Sequence, residues 1–240
     1  MDDGGHVEAD QIARRVRDVQ VRIRQAAQRA GRKPEAVRLV AVTKTVPVER
    51  IRAAVAAGVS ILGENRLQEA EPKIEQLQSL PGVQWHFIGR LQRRKVKTVV
   101  GLFELIHSVE SVELAVEIDR RAREADVTQR VLLEVNIGGE ASKGGFAPDA
   151  LPDAVKAIDA LSNLAVEGLM AIPPLSLYAE TSRPHFRALR ELAQSLSGLK
   201  LQRVRMRELS MGMSGDFESA IEEGATMVRV GTAIFGARRG

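Results

Sequence analysis

Short apolar runs alternate with longer amphipathic segments along almost the whole chain. The runs have the length of strands, whereas the longer segments repeat their apolar residues with a helical period. This alternation is typical of a parallel sheet whose strands are joined by helices. Eight strands are predicted, the number that closes a (β/α)8 barrel. They are Val37–Thr43, Val59–Leu62, Gln84–Ile88, Phe103–Ser108, Arg130–Asn136, Ala165–Ala171, Arg207–Met211 and Met227–Val230.

Helices are predicted between these strands, among them Pro47–Ala57 and Ser111–Glu124. A further helix over Val7–Ala30 precedes the first strand and ends at Gly31. We therefore predict an α/β fold, a single (β/α)8 TIM-type barrel domain over residues 1–240. Residues 1–35 form an N-terminal helical extension that covers one end of it. A doubly wound open sheet remains the alternative, because counting elements does not prove closure.

Composition narrows the classes of function. The 240 residues include no cysteine, which excludes disulfides, thiolate metal sites and cysteine nucleophiles. The net charge is +4, and the basic stretch Arg90–Lys97 lacks aromatic residues that could stack on bases, so we expect no specific nucleic-acid partner. No apolar run reaches the roughly 18 residues of a membrane helix, and the first ten residues carry no targeting pattern. We expect a cytoplasmic protein without a membrane partner.

Lys44 directly follows the apolar run Leu39–Thr43. In a barrel, functional residues lie at the carboxyl ends of the strands. A shielded amine at such a place has a depressed pKa and can form a Schiff base. Position alone favours the simpler alternative, a solvated lysine that closes the strand.

Two glycine clusters follow the seventh and eighth predicted strands, Gly212–Asp216 and Gly231–Thr232. Barrels commonly bind phosphate at these two loops, because glycines let backbone N–H groups approach an anion. Ser214 could instead only cap a helix. Arg229 lies two residues before Gly231 and should face the barrel interior with it, where it needs a ligand or an internal ion pair as acceptor.

Other conspicuous residues have simpler explanations. Asn65 could give a ligand an amide donor, but capping the next helix is the simpler role. His86 and His107 have no companions at metal-ligand spacing and are predicted to be neutral core histidines. Met211 and Met213 are more typical of packing than of chemistry. Gly212–Asp216 is similar to the nucleophile elbow of serine hydrolases, and Gly138–Gly145 is similar to a P-loop, but neither segment matches its motif.

At these residues the sequence resembles the pyridoxal 5'-phosphate (PLP) homeostasis family, also called YggS-like proteins. The barrel of that family is similar to the N-terminal domain of alanine racemase. The resemblance runs through nearly the whole chain. Its motifs are Val40–Lys44, Gly63–Asn65, Trp85–Gly89, His107–Val109, Ser142–Phe146, Leu169–Pro174, Leu209–Ser214 and Val228–Thr232.

The resemblance implies that PLP is the cofactor and that Lys44 holds it as a Schiff base. It also implies that Arg229 faces the pyridine nitrogen and that Asn65 lines the ring. Phosphate is assigned to Ser214, Gly231 and Thr232, and Met211 and Gly215 complete the expected cofactor-binding residues. No catalytic or metal-binding residue is assigned.

An arginine beside the pyridine nitrogen opposes its protonation and weakens the ring as an electron sink. Alanine racemases resemble this arrangement but also use a tyrosine base from a second domain, whereas this chain stops at Gly240 and its only tyrosine is Tyr178. We therefore expect a monomeric protein that stores, buffers or delivers PLP, with PLP-dependent apoenzymes as candidate partners. The alternatives are an amino-acid racemase and a surface adaptor that does not need Lys44.

Overall fold

The strands of the chain close into a barrel. The computed structural model describes residues 3–140, 142–174 and 178–237. Each strand pairs in parallel with the next, and the eighth pairs with the first, which confirms the predicted barrel and excludes the open sheet. The strands are β1 Arg38–Val42, β2 Ile61–Glu64, β3 Gln84–Phe87, β4 Leu105–Val109, β5 Gln129–Glu134, β6 Leu164–Met170, β7 Val204–Met213 and β8 Met227–Val230.

Alternation along the strands separates two cores. Apolar side chains inside the barrel form one small cluster, whose members are Val40, Ile61, Leu105, Leu132, Met170 and Met227. Their strand neighbours, such as Ala41 and Leu62, belong to the larger cluster that includes residues of the helices. Six of the eight strands therefore contribute apolar side chains to both faces, which is why they appear in the sequence as nearly continuous apolar runs.

The helices form the outer layer. They are α1 Asp3–Arg29, α2 Val48–Ala56, α3 Leu67–Leu77, α4 Val96–Val99, α5 Val112–Glu124, α6 Leu151–Asp159, α7 Arg183–Ser197, α8 Phe217–Glu222 and α9 Thr232–Phe235. Within the described residues, no helix combines the length and the apolar character needed to cross a membrane.

The N-terminal helix α1 packs beside the barrel, not over its end as the sequence suggested. It contacts α2, α8 and α9. The helix after β8 has only four residues, so it leaves the outer wall next to β8 thinly covered. Fully buried apolar residues of α1, such as Val16 and Ala26, pack against this part of the wall. The N-terminal helix thus takes the place of a long eighth outer helix.

Candidate functional site

Lys44 lies at the mouth of the barrel, between the ends of two neighbouring strands. It follows β1 after Thr43, and the side chain is half-buried. On one side Val42 pairs with Gly63 of β2. Two residues further along each strand direction, Lys44 therefore lies beside Asn65. On the other side Ala41 pairs with Val230 of β8, which leads into Gly231. Parallel register therefore brings Lys44, Asn65 and Gly231 to one edge.

The backbone after Lys44 makes a tight left-handed turn. Thr45 has φ 61° although it is a β-branched residue. Such a conformation costs on the order of 1–3 kcal/mol and persists only where the surroundings impose it. Here the N–H of Thr45 donates to Glu69 Oε2 of α3 at 2.9 Å. The turn fixes the direction in which the chain leaves Lys44.

A buried ion pair supports the residue before Lys44. Lys73 of α3 donates from Nζ to Glu64 Oε1 and to the carbonyl oxygen of Thr43, both at 2.7 Å. The Thr43 hydroxyl donates to the same carboxylate oxygen at 2.7 Å. Burial raises the pKa of Glu64, while Lys73 and Thr43 oppose that shift. The end of β1 is therefore tied to β2 and α3 by charged groups out of contact with water.

The two predicted phosphate loops meet. Ser214 Oγ accepts hydrogen bonds from the N–H groups of Gly231 at 3.2 Å and Ala233 at 3.3 Å. Ser214 does not cap the helix that follows it, because that position belongs to Asp216. Its hydroxyl instead bridges the loop after β7 to the start of α9. The two glycine clusters therefore lie side by side at the barrel mouth.

Arg229 points into the barrel, as strand alternation predicted, and is only 5% exposed. Its acceptors are neutral: Nη1 donates to the carbonyl oxygen and Oγ of Ser210 at 2.7 and 2.6 Å, and Nη2 donates to the carbonyl oxygen of Ala171 at 3.0 Å. Burial lowers the pKa of Arg229 to about 10, against the attraction of Glu134 and Asp216. Oxygens of Ser210 in β7 and of Ala171, directly after β6, thus take the place of the internal ion pair that was one of the two alternatives.

Known proteins resemble this chain over nearly its whole length. A family model described as the N-terminal domain of alanine racemase matches residues 16–239. A pyridoxal phosphate homeostasis protein of Aquifex aeolicus is 48% identical over 218 residues, which cover 91% of this chain and 94% of that protein. The chain belongs to the pyridoxal phosphate homeostasis family.

Other relatives of this family member extend the comparison. The Pseudomonas aeruginosa protein of the same name is 44% identical over 227 residues, 95% of this chain and 96% of its own. PipY of Synechococcus elongatus, solved with PLP bound, is 37% identical with a TM-score of 0.82, covering 94% of this chain and 100% of PipY. Alanine racemase from Corynebacterium glutamicum shares the fold, with a TM-score of 0.69 and 18% sequence identity. The match covers 96% of this chain and 62% of the racemase chain.

The remaining residues predicted to bind the cofactor divide into two groups. Gly215 and Thr232 are exposed beside the bridged loops, and Asn65 is half-buried at the end of β2. Met211 is fully buried in the larger hydrophobic cluster. It lies on the opposite face of β7 from Ser210, so the structure separates its side chain from the polar groups that face the interior.

Sequence reasoning missed several charged groups near the mouth. Lys73 and Glu69 lie on an amphipathic helix, where such residues are usually solvated. Glu134, the last residue of β5, is half-buried, and burial together with repulsion from Glu110 raises its pKa. Groups of three or more potential metal ligands are absent from the described part of the chain.

His86 and His107 are buried inside the barrel and contact each other, Nδ1 of His86 to Nε2 of His107 at 3.0 Å. Burial, together with Arg38 and Arg130, lowers the pKa of His86 to about 3. Burial, His86 and Arg229 hold the pKa of His107 well below its ordinary value of 6.5. Both are therefore neutral in the folded protein at physiological pH, consistent with the sequence prediction.

This neutrality predicts a loss of stability in mild acid. Below pH 6.5 the unfolded chain protonates both histidines while the folded protein does not, so the free energy of unfolding falls with pH. The expected slope is about 1.4 kcal/mol per pH unit for each histidine, down towards pH 3. Urea unfolding at pH 7 and pH 5 measures it. His6→Gln, which changes an exposed histidine, should keep the slope, whereas an unchanged free energy between the two pH values would contradict the assignment.

Proposed function

We propose that the chain binds PLP, holds it as a Schiff base on Lys44, and stores, buffers or delivers it without strong catalytic activity of its own. The observation that carries the proposal is the position of Lys44, which lies at the strand ends that also bear Asn65 and Gly231, the latter bridged by Ser214. A primary amine beside an anion-suited loop is the pair of features that an aldehyde bearing a phosphate requires.

The residues present fit this ligand. In the part of the chain that the structure describes, the backbone N–H groups of Ser214, Gly215 and Thr232 have no hydrogen-bond acceptor, so they are available to a phosphate. An added Cβ at Gly215 would meet nothing within 4 Å, which indicates open space there. Asn65 Oδ1 is buried without a partner among the described residues, and as an acceptor it could take a hydrogen bond from a hydroxyl group of a ligand bound beside it.

The protein groups would hold the ligand more than activate it. PLP supplies a reactive aldehyde and an electron-withdrawing pyridine ring when bound. Lys44 would provide the covalent link, the two bridged loops would fix the phosphate, and Arg229 would donate to the pyridine nitrogen. Because Arg229 is a cation held by neutral oxygens, it opposes protonation of that nitrogen. The proposal therefore favours a carrier over an enzyme.

The test is an absorbance spectrum of the purified protein with PLP before and after borohydride reduction, followed by peptide mapping. We expect a reducible chromophore and a label on the peptide that contains Lys44. A main label on any other lysine of the unaltered protein would refute the assignment of Lys44. Absence of any reducible chromophore would refute the binding proposal itself.

The phosphate loops predict a selective loss of affinity. Ser214→Ala and Thr232→Val should each weaken PLP binding by about one to two decades, the worth of one hydrogen bond to a charged group. Pyridoxal lacks the phosphate and should be affected much less. Ser197→Ala, which removes a hydroxyl from α7, is the matched control. Equal weakening for PLP and pyridoxal would place the phosphate elsewhere.

An amino-acid racemase is the second candidate, because the fold is shared with alanine racemase. Racemisation needs a base on each face of the substrate, and the chain's only tyrosine, Tyr178, is 74% exposed. We expect α-proton exchange of L- and D-alanine in deuterated water to be far slower than ordinary enzyme turnover when the PLP-loaded protein is present. Exchange at about 1 per second or faster would establish the racemase.

The proposal also extends to partners. We infer a monomeric cytoplasmic protein that passes PLP to PLP-dependent apoenzymes. Transfer of PLP to an apoenzyme faster than the free cofactor is released would support this, whereas function that survives loss of Lys44 would favour an adaptor.

A further inference from the structure

A chain of buried hydrogen bonds crosses the barrel interior from β3 to β8. It runs from His86 of β3 to His107 of β4, then to Ser210 of β7 and Arg229 of β8. His107 Nδ1 lies 2.9 Å from Ser210 Oγ, and His107 is fully buried. Nothing in the proposed function uses the two histidines or the serine.

The direction of every bond in this chain follows from its arginine end. Arginine can only donate, so Ser210 Oγ accepts from Arg229. The hydroxyl proton then has one remaining partner among the described residues, Nδ1 of His107. If His107 donated to Ser210 instead, the hydroxyl would be a buried donor without an acceptor, which folded proteins avoid.

The tautomers of both histidines are then fixed. Because His107 Nδ1 accepts, neutral His107 carries its proton on Nε2 and donates it to Nδ1 of His86. Neutral His86 must in turn carry its proton on its own Nε2. Burial lowers the pKa of both histidines and so keeps both rings neutral. A charged ring would also have to donate from both nitrogens, whereas Nδ1 of His107 accepts.

We propose that His107 is a positioning residue that acts through Ser210 to set the orientation of Arg229, and thus of the group that Arg229 binds. Rotation of the Ser210 hydroxyl is restricted because His107 takes its proton, which aims the oxygen lone pairs at Arg229 Nη1. His107 is held by His86 in turn. The part of this inference that concerns the ligand rests on the proposed binding of PLP.

The first test needs no cofactor. The chain has four histidines, so long-range ¹H–¹⁵N correlation spectra of the imidazole rings can be assigned with single substitutions. At pH 7 we expect His86 and His107 both to be Nε2–H tautomers in the cofactor-free protein. An Nδ1–H tautomer at His107 would overturn the inference whether or not PLP binds.

The second test compares two variants with PLP. His107→Asn keeps an acceptor where Nδ1 stands, whereas His107→Leu removes it. We expect His107→Leu to weaken PLP binding about tenfold, as for one lost hydrogen bond, and to shift the absorption maximum of the bound cofactor. His107→Asn should restore both within about twofold. Equal effects of the two variants would overturn the positioning role, and if His107→Leu does not fold, the tautomers alone decide.

If the unaltered protein forms no reducible adduct with PLP, the proposed function fails, and the tautomer result still decides the direction of the hydrogen bonds. If the adduct forms at Lys44 and the histidine variants behave alike, only the positioning inference fails. The two proposals therefore have separate outcomes.

Discussion

Lys44→Ala should abolish the borohydride-stable label at the barrel mouth. Lys44 is the lysine that parallel register brings beside Gly231 and Asn65, and an alanine there has no amine to condense with an aldehyde. PLP could still bind through its phosphate, with an affinity lower by at least one to two decades, because a reversible covalent link is lost. The absorbance of the protein after reduction and desalting measures the label directly.

The matched control is Lys156→Ala, which removes an exposed lysine of α6 that pairs with the exposed Asp153. This variant should retain full labelling of the Lys44 peptide. A new label on another lysine that appears only in Lys44→Ala would reflect displaced cofactor and is compatible with the proposal. The proposal would be contradicted if Lys44→Ala were labelled as strongly as the unaltered protein, on a lysine that is also labelled in the unaltered protein.

The order and number of strands could be predicted because most of the buried parallel strands are apolar on both faces. The β8 bounds, Met227–Val230, are those predicted. β2 begins two residues later than predicted, because Gly58 adopts φ 99° and the N–H of Val59 still donates to Ala54 at the end of α2. β7 begins at Val204, earlier than predicted, because a bulge carries the exposed Arg205 and Arg207 and conceals the pattern.

The site could be predicted only where its residues follow strands. Lys44, Asn65, Ser214 and Gly231 do so, and barrel closure brings them together without further information. The residues that support the site lie either on a helix that packs against a strand or on strands from opposite sides of the barrel. Their contacts depend on tertiary packing and leave no period in the sequence.

Ser210 and Lys73 illustrate the two cases. Ser210 is one small polar residue in an apolar run, and its value appears only when β7 lies beside Arg229 of β8. Lys73 is 8% exposed although it lies on an amphipathic helix, because the carboxylate of Glu64 and the carbonyl of Thr43 replace its water. For Ser210, the one indication in the sequence was that Arg229, predicted to face the interior, needed hydrogen-bond acceptors.

Lys73→Met should destabilise the protein by about 3–5 kcal/mol, since it leaves Glu64 buried without its counter-ion. Glu64 is 0% exposed, and among the described residues the Thr43 hydroxyl would be the one remaining partner of its carboxylate. Protonation of Glu64 would relieve part of this cost, in keeping with the raised pKa that burial already imposes on it. Urea unfolding at pH 7 measures the loss of free energy.

The double variant Lys73→Met, Glu64→Gln separates the charge from the packing. It removes both charges and keeps an oxygen for the Thr43 hydroxyl, so it should recover most of the lost stability. Lys156→Met on the surface should change the free energy of unfolding by less than about 0.5 kcal/mol. Because Lys73 also holds the carbonyl of Thr43, both Lys73 variants should label Lys44 more slowly even where stability recovers. Equal stabilities of Lys73→Met and Lys156→Met would mean that the ion pair does not hold the end of β1.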